Sequence, residues 1–235
     1  MSDHCNQGFS DFEKDIFYRV IFSRRDVRQN FIKKNIEDKI LIKILNAAHH
    51  APSVGFSQPW NFILIKDKTI RGNIKQSFLT ERLKSIDLLN DDRDRQQKYL
   101  ELKLEGILES DINICVTYDH NRFGPFVIGR MTIDDAGIYS VCCAIQNLWL
   151  ASRVEGIGVG WVSILNNSDL EDILNLPKNI KPIAYLCLGF VDEFNDSPDL
   201  EKKNWIKRLN LKDVIFFEKW NEDNNINWKN FKSLY

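Results

Sequence analysis

Three stretches of the chain collect side chains that could do chemistry. In Ser23-Arg24-Arg25-Asp26-Val27-Arg28, three arginines fall within five residues. Their charges repel unless something anionic lies nearby, and the planar guanidinium fork suits two-pronged contact with phosphate or carboxylate. Asp26 in their midst is ambiguous, since it could merely pair with the arginines, and a solvated basic turn would also account for the cluster. The second stretch is His49-His50-Ala51-Pro52-Ser53-Val54-Gly55-Phe56-Ser57-Gln58-Pro59-Trp60-Asn61-Phe62. Its prolines stiffen a connection and its small residues let a ligand approach the backbone. Adjacent histidines on a helix point about 100° apart, and no third ligand is spaced to join them, so no metal is expected there. The third stretch, Gly156-Ile157-Gly158-Val159-Gly160-Trp161-Val162-Ser163, looks like a dinucleotide-binding fingerprint. That fingerprint runs from strand to helix, whereas these glycines follow a helix and enter a strand, so the dinucleotide reading fails. Glycines that permit close packing are the simpler account.

The elements that must position these stretches can be read from hydrophobic spacing. Phe12, Ile16, Phe17, Val20 and Ile21 repeat at helical intervals and deliver the chain to Arg24. A second helix carries Ile36, Ile40, Leu41, Ile44, Leu45 and Ala48 on one face, with Asn35 as its expected cap, and ends before Pro52. Phe62–Ile65 and Ile112–Tyr118 read as buried strands. The charged stretch 81–97 reads as a solvated helix or loop, or as a mobile cover over a site. Asp134 is expected to open a long helix that is apolar nearly all round, ended by Gly156. A strand from Gly158, a short helix opened by a Ser168/Glu171 capping box, and a last strand over 184–191 complete the pattern. Helices and strands mix without strict alternation, which predicts an α+β fold with helices packed on a sheet. One domain over residues 1–235 is expected, with its core at about 11–192 and a C-terminal arm over 193–235 that contains Trp205, Trp220 and Trp228.

Composition excludes several classes of function. Thirty-two basic residues face 33 acidic ones, a net charge of -1, so neither nucleic acid nor an anionic membrane surface is an expected partner. The N-terminus has no secretory pattern and no apolar run is long enough to span a bilayer, which predicts a cytoplasmic protein. Cys5, Cys115, Cys142, Cys143 and Cys187 are odd in number and lack Cys-x-x-Cys spacing, so they are expected to be reduced core thiols.

Taken in this order and spacing, the three stretches resemble the FMN-dependent nitroreductase fold family, and within it the branch that makes 5,6-dimethylbenzimidazole. The resemblance is carried by Arg24-Arg25-Asp26-Val27-Arg28, Ala51-Pro52-Ser53-Val54-Gly55-Phe56 with Gln58-Pro59-Trp60-Asn61-Phe62, and Leu102-Lys103-Leu104-Glu105-Gly106-Ile107. It continues in Gln146-Asn147-Leu148-Trp149-Leu150-Ala151, Gly158-Val159-Gly160-Trp161-Val162-Ser163 and Leu186-Cys187-Leu188-Gly189-Phe190-Val191-Asp192. General members of the family often carry Asn where this chain has Phe56, a departure shared with the synthase branch.

The resemblance implies a central mixed sheet flanked by helices and an intertwined homodimer with FMN sites at the subunit interface. It implies that reduced FMN is the substrate, with molecular oxygen as oxidant. The ring is fragmented to 5,6-dimethylbenzimidazole, the lower ligand of cobalamin, with erythrose 4-phosphate released from the ribityl side. No metal is implied. Carried over by residue, Arg24, Arg25 and Arg28 would hold the phosphate and ring edge, with Arg208 a further phosphate candidate, and Val27 and Leu102 would belong to the same site. Pro52, Ser53 and Gly55 would line the flavin from the partner subunit, and Gly160 with Ser163 would approach its ring. Asp26 and Ser163 form the implied catalytic pair, and a carboxylate among arginines is expected to have a lowered pKa. A covered flavin would leave no room for nicotinamide, so a separate reductase is expected to supply reduced FMN. Two other readings stay open, an NAD(P)H-dependent FMN oxidoreductase and a non-catalytic flavin-binding protein.

Overall fold

The computed structural model describes residues 8–216 and 219–220. The expectations on Cys5 and Trp228 fall outside these residues. The chain divides into two compact units, Met1–Pro198 and Asp199–Tyr235.

Unit one opens with α1 (Asp11–Ser23), started by a capping box in which Ser10 and Glu13 satisfy each other's backbone N–H groups. Next come α2 (Asp38–His49), β1 (Trp60–Ile65), α3 (Lys68–Asp87), α4 (Arg93–Leu100) and β2 (Ile112–Asp119). α5 (Ala136–Val154), β3 (Ile157–Val162), α6 (Asn167–Ile173) and β4 (Ile180–Phe190) complete it. The strands form one sheet in the order β1-β2-β4-β3, and every pairing between them is antiparallel. The expected mixed sheet is therefore corrected: among the described residues parallel pairing is confined to an isolated bridge between Asp26 and Val159.

Alternation along β2 explains the layering. Ile112, Ile114, Val116 and Tyr118 join the cluster made with α2 and α5, including Ile44, Ala48, Ile145 and Leu148. Asn113, Cys115 and Thr117 alternate with them on the opposite face and are also buried, so the strand is covered on both sides. On that second face the Tyr185 hydroxyl donates to Asn113 at 2.8 Å. Arg71 of α3, itself buried, donates to the carbonyls of Ile107 and Ser110.

Several boundaries differ from expectation for local reasons. The cap position of α2 is Glu37, not Asn35, and Ile36 instead drops into the core with its N–H bound to Asp111. The start of α6 is capped by Asn166, whose side chain accepts from Ser168 N–H at 2.9 Å, in place of a Ser168 box. The N-cap of α5 is Asp135, one residue after the expected Asp134. β4 is longer than expected and tolerates Pro182 because the register shifts between Val116 and Thr117 opposite it. Gly156 does end α5 in the left-handed region, with φ at 72°. Cys115 and Cys187 are buried as expected, while Cys142 and Cys143 are exposed; all four are free thiols. No helix among the described residues is long and apolar enough to cross a membrane.

The second unit, in its described residues, contains a short helix over Asp199–Lys202 and a turn over Leu211–Val214, and Phe216 stacks on Trp220 at 4.1 Å.

Candidate active site

The arginine stretch leaves α1 as extended chain and lies along β3. Asp26 bridges Val159, and the Val27 N–H donates to the Val159 carbonyl at 2.9 Å. This contact dictates the glycines opposite. A Cβ on Gly160 would lie 2.1 Å from the Val27 carbonyl oxygen, and one on Gly158 would meet the side chains of Val27 and Val191 below 3.0 Å. Gly160 is thus required by the protein's own packing, before any ligand is considered. Gly106 is held in the same way behind the stretch, against the Phe31 ring.

Asp26 is the centre of the arrangement. Its carboxylate accepts the Trp161 N–H at 3.0 Å and is ion-paired with Arg28. Burial pushes its pKa up, and the charges of Arg28 and Arg24 with the Trp161 N–H pull against that without reversing it. The expected lowering is therefore corrected: desolvation of the half-buried carboxyl against β3 outweighs the arginines. A carboxyl raised in this way can hold a proton and deliver it as well as accept one.

Two tryptophans bracket the stretch. The Trp149 indole N–H donates to the Arg25 carbonyl at 3.0 Å, and the Arg24 guanidinium lies over the Trp149 ring at 4.8 Å. The ring of Trp161 is 6.4 Å from that of Trp149. Both residues sit in motifs legible in the sequence, yet nothing in their spacing announces that they hold the arginine turn. Arg25 donates to the carbonyls of Phe22, Arg24, Asn195 and Asp196. Its guanidinium thus ties the turn to residues 195–196, a role that sequence reasoning missed. Arg28 differs: its Nε is buried with no partner in the protein, and such an atom requires an acceptor. An anionic or carbonyl-bearing ligand such as FMN would supply one, and Arg24, Arg28 and Asp26 together fit that group.

The other expected residues fall in separate places. Ser163 is exposed, one residue beyond β3, on the rim of a cavity of about 200 Å³ shared with Leu165, Leu170, Pro182 and Ala184. Leu102 is buried. Pro52, Ser53 and Gly55 form a loop braced by Ser140 of α5, whose hydroxyl accepts the Val54 N–H at 3.0 Å. Ser140, which holds this loop, and Trp149, which holds the arginine stretch, stand nine residues apart on α5, about 13 Å of helix rise. Residues 81–97 are the end of α3, a turn and most of α4, joined at the base where Arg82 donates to the carbonyls of Leu100 and Leu102. Arg208 lies in the second unit. His49 accepts from the Trp60 indole, His50 contacts the Asn46 carbonyl, and among the described residues no group of metal-ligating side chains gathers.

A sheet closed on one edge by an arginine-aspartate segment, with a glycine-dependent strand beneath it, defines the class. Residues 21–190 match the nitroreductase family, and the chain belongs to that family. Within it, the chain is 38% identical to a 5,6-dimethylbenzimidazole synthase of Rhodospirillum rubrum, over 79% of this chain and 86% of the relative. A BluB-like flavoprotein from Clostridium difficile 630 shares the fold with TM-score 0.65 at 20% identity, covering 90% of this chain and all of its own. Oxidised iodotyrosine deiodinase bound to FMN and 3-iodo-L-tyrosine superposes with TM-score 0.68 at 18% identity, covering 87% of this chain and 100% of its own. The family and the branch inferred from the sequence motifs are both borne out.

Proposed function

We propose that this protein carries out the oxygen-dependent fragmentation of reduced FMN to 5,6-dimethylbenzimidazole, with erythrose 4-phosphate from the ribityl side, for the lower ligand of cobalamin. The observation that carries this reading is the Asp26 carboxyl, half-buried, paired with Arg28 and anchored by the Trp161 N–H. Its likeness to a named synthase adds support. Reduced FMN supplies the electrons and the ring carbons of the product, and oxygen is the oxidant. Arg24 and Arg28 bind and orient the anionic and carbonyl groups, and Arg25 fixes the turn that presents them. Asp26 moves protons at its carboxylate oxygen, and its raised pKa lets it act in both directions. Ser163 offers a hydroxyl at the strand end, and Arg208 is a further candidate to bind the phosphate in this reading.

A second copy of the chain completes the site. α1 buries none of its residues and exposes Phe12, Phe17, Tyr18 and Phe22, beside a groove of about 650 Å³ floored by α2 and α5. Exposed aromatic area on this scale favours an interface, and the separation of the Pro52–Gly55 loop from the arginine stretch is met if the loop lines the partner's flavin. The 81–97 hairpin serves as the cover, 193–235 as an arm, and a separate cytoplasmic reductase delivers reduced FMN.

The test is direct. Purified protein is mixed with photoreduced FMN without air, oxygen is admitted, and the products are separated by chromatography and weighed by mass spectrometry. Dimethylbenzimidazole formed without NAD(P)H is the expected result; intact oxidised FMN would overturn the reading.

A further inference from the structure

The loop that carries Pro52, Ser53 and Gly55 contains a feature that its own folding does not need. Phe56 has φ of 55° and Gln58 φ of 40°, both in the left-handed region beside Gly55 at 53°. There Cβ crowds the following carbonyl, and Asn or Gly would make the same turn with less strain.

The turn is braced without the Phe56 ring. Ser53 accepts the Gln58 N–H at 3.0 Å, Ser57 donates to the Val54 carbonyl at 2.7 Å, and the Gln58 side chain donates to the Phe56 carbonyl. Gly55 is walled in by Val127 and Ile128. Nor does the ring pack within the chain, since Phe56 is 80% exposed. A strained position that the surroundings over-determine, holding a large apolar group out in the open, marks a site where that group meets something else.

We propose that Phe56 is a specificity-determining residue: its ring fills the approach to the flavin from this loop and rejects flat nicotinamide hydride donors. This inference rests on the reading of Pro52–Gly55 as a flavin-lining loop. The step it blocks is hydride transfer from the nicotinamide C4 to the flavin N5, which would oxidise NADPH to NADP⁺ and reduce FMN on the protein. Rejection by an occupied volume is discrimination by steric conflict, and it selects flavin that has been reduced elsewhere.

The test uses the full-length protein loaded with FMN, with NADPH added anaerobically and flavin bleaching followed. Wild type is expected to bleach slowly. Phe56→Ala and Phe56→Asn are each expected to bleach at least about 10-fold faster, since even one methylene in a pocket discriminates by that much. A second readout needs no flavin: the Asn variant, which suits the left-handed backbone, should unfold at a higher temperature than wild type, and the Ala variant should not. Variants that bind FMN but bleach at the wild-type rate would overturn the proposal. Loss of FMN binding in both would make the ring a binding group, and a change confined to oligomeric state by light scattering would make it a subunit contact; either overturns it. Rapid bleaching of wild type would instead overturn the functional reading beneath it.

Discussion

Two carboxylates of this protein, Glu105 in the interior and the half-buried Asp26, have been treated in opposite ways. Glu105 is 3% exposed, and it is met by Lys75, by Lys103 at 3.0 Å and by the Ile107 N–H at 2.8 Å. Burial pushes its pKa up, but these partners together bring it below the ordinary value. Asp26 is also pushed up by burial, and with one ion pair and one backbone N–H it stays raised. The difference lies in how completely each charge is satisfied. Glu105 is locked as an anion and ties the 102–107 segment to α3 through Lys75. Asp26 is left short of partners beside an arginine whose Nε is also unmet, the arrangement of a group kept ready for a proton or a ligand.

The largest expected effect comes from neutralising the ready carboxyl. Asp26→Asn should lower dimethylbenzimidazole yield by about 100-fold or more while FMN still binds, measured by product analysis alongside flavin fluorescence quenching. Unchanged yield would remove the distinction between the two carboxylates. Glu105→Gln should do the reverse, costing about 1–2 kcal/mol of stability in urea melts because Lys75 loses its counter-charge while Lys103 keeps Glu109.

Close behind is Gly160→Ala, whose methyl meets the Val27 carbonyl. It should displace the arginine stretch, with a cost of about 1–3 kcal/mol and loss of FMN affinity.

The pH dependence sharpens the contrast further. Glu105, lowered in the folded state, contributes stability that is present above its unfolded value near 4.5 and lost as pH falls through its folded value. Asp26, raised in the folded state, has the opposite sign: from its unfolded value near 3.8 upward it subtracts stability until pH passes the folded value. Thermal midpoints against pH should therefore show Glu105→Gln flattening the acid limb and Asp26→Asn raising the neutral plateau.

The smallest effect is expected from Trp149→Phe. It keeps a ring beneath Arg24 but loses the hydrogen bond to Arg25, worth about 1 kcal/mol, so FMN should bind about fivefold more weakly. Titration with FMN and riboflavin checks whether the loss follows the phosphate.

Much of this arrangement was legible residue by residue. The arginine-aspartate stretch, the two-proline loop and the glycine strand stand out because their residue types are costly or unusual in ordinary packing, and in that order they resemble one family. The helices and strands followed from 3.6- and 2-residue spacing, with errors of one or two residues at caps, where Glu37, Asn166 and Asp135 replaced nearby alternatives of similar propensity. The beginning of α3 at Lys68 was not foreseen, because its surface is polar and its apolar stripe is thin.

What the amino-acid sequence by itself determined is the set of chemical groups and the local elements that carry them, since both depend on residue type and short-range spacing. What only the tertiary structure decided is how those groups are solvated and partnered. The sign of the Asp26 shift depends on its burial against β3, the need for Gly160 depends on the Val27 carbonyl, and the commitment of Arg25 depends on carbonyls 170 residues away in sequence. Dielectric environment and hydrogen-bond partnership are properties of neighbours in space, and the fold chooses those neighbours.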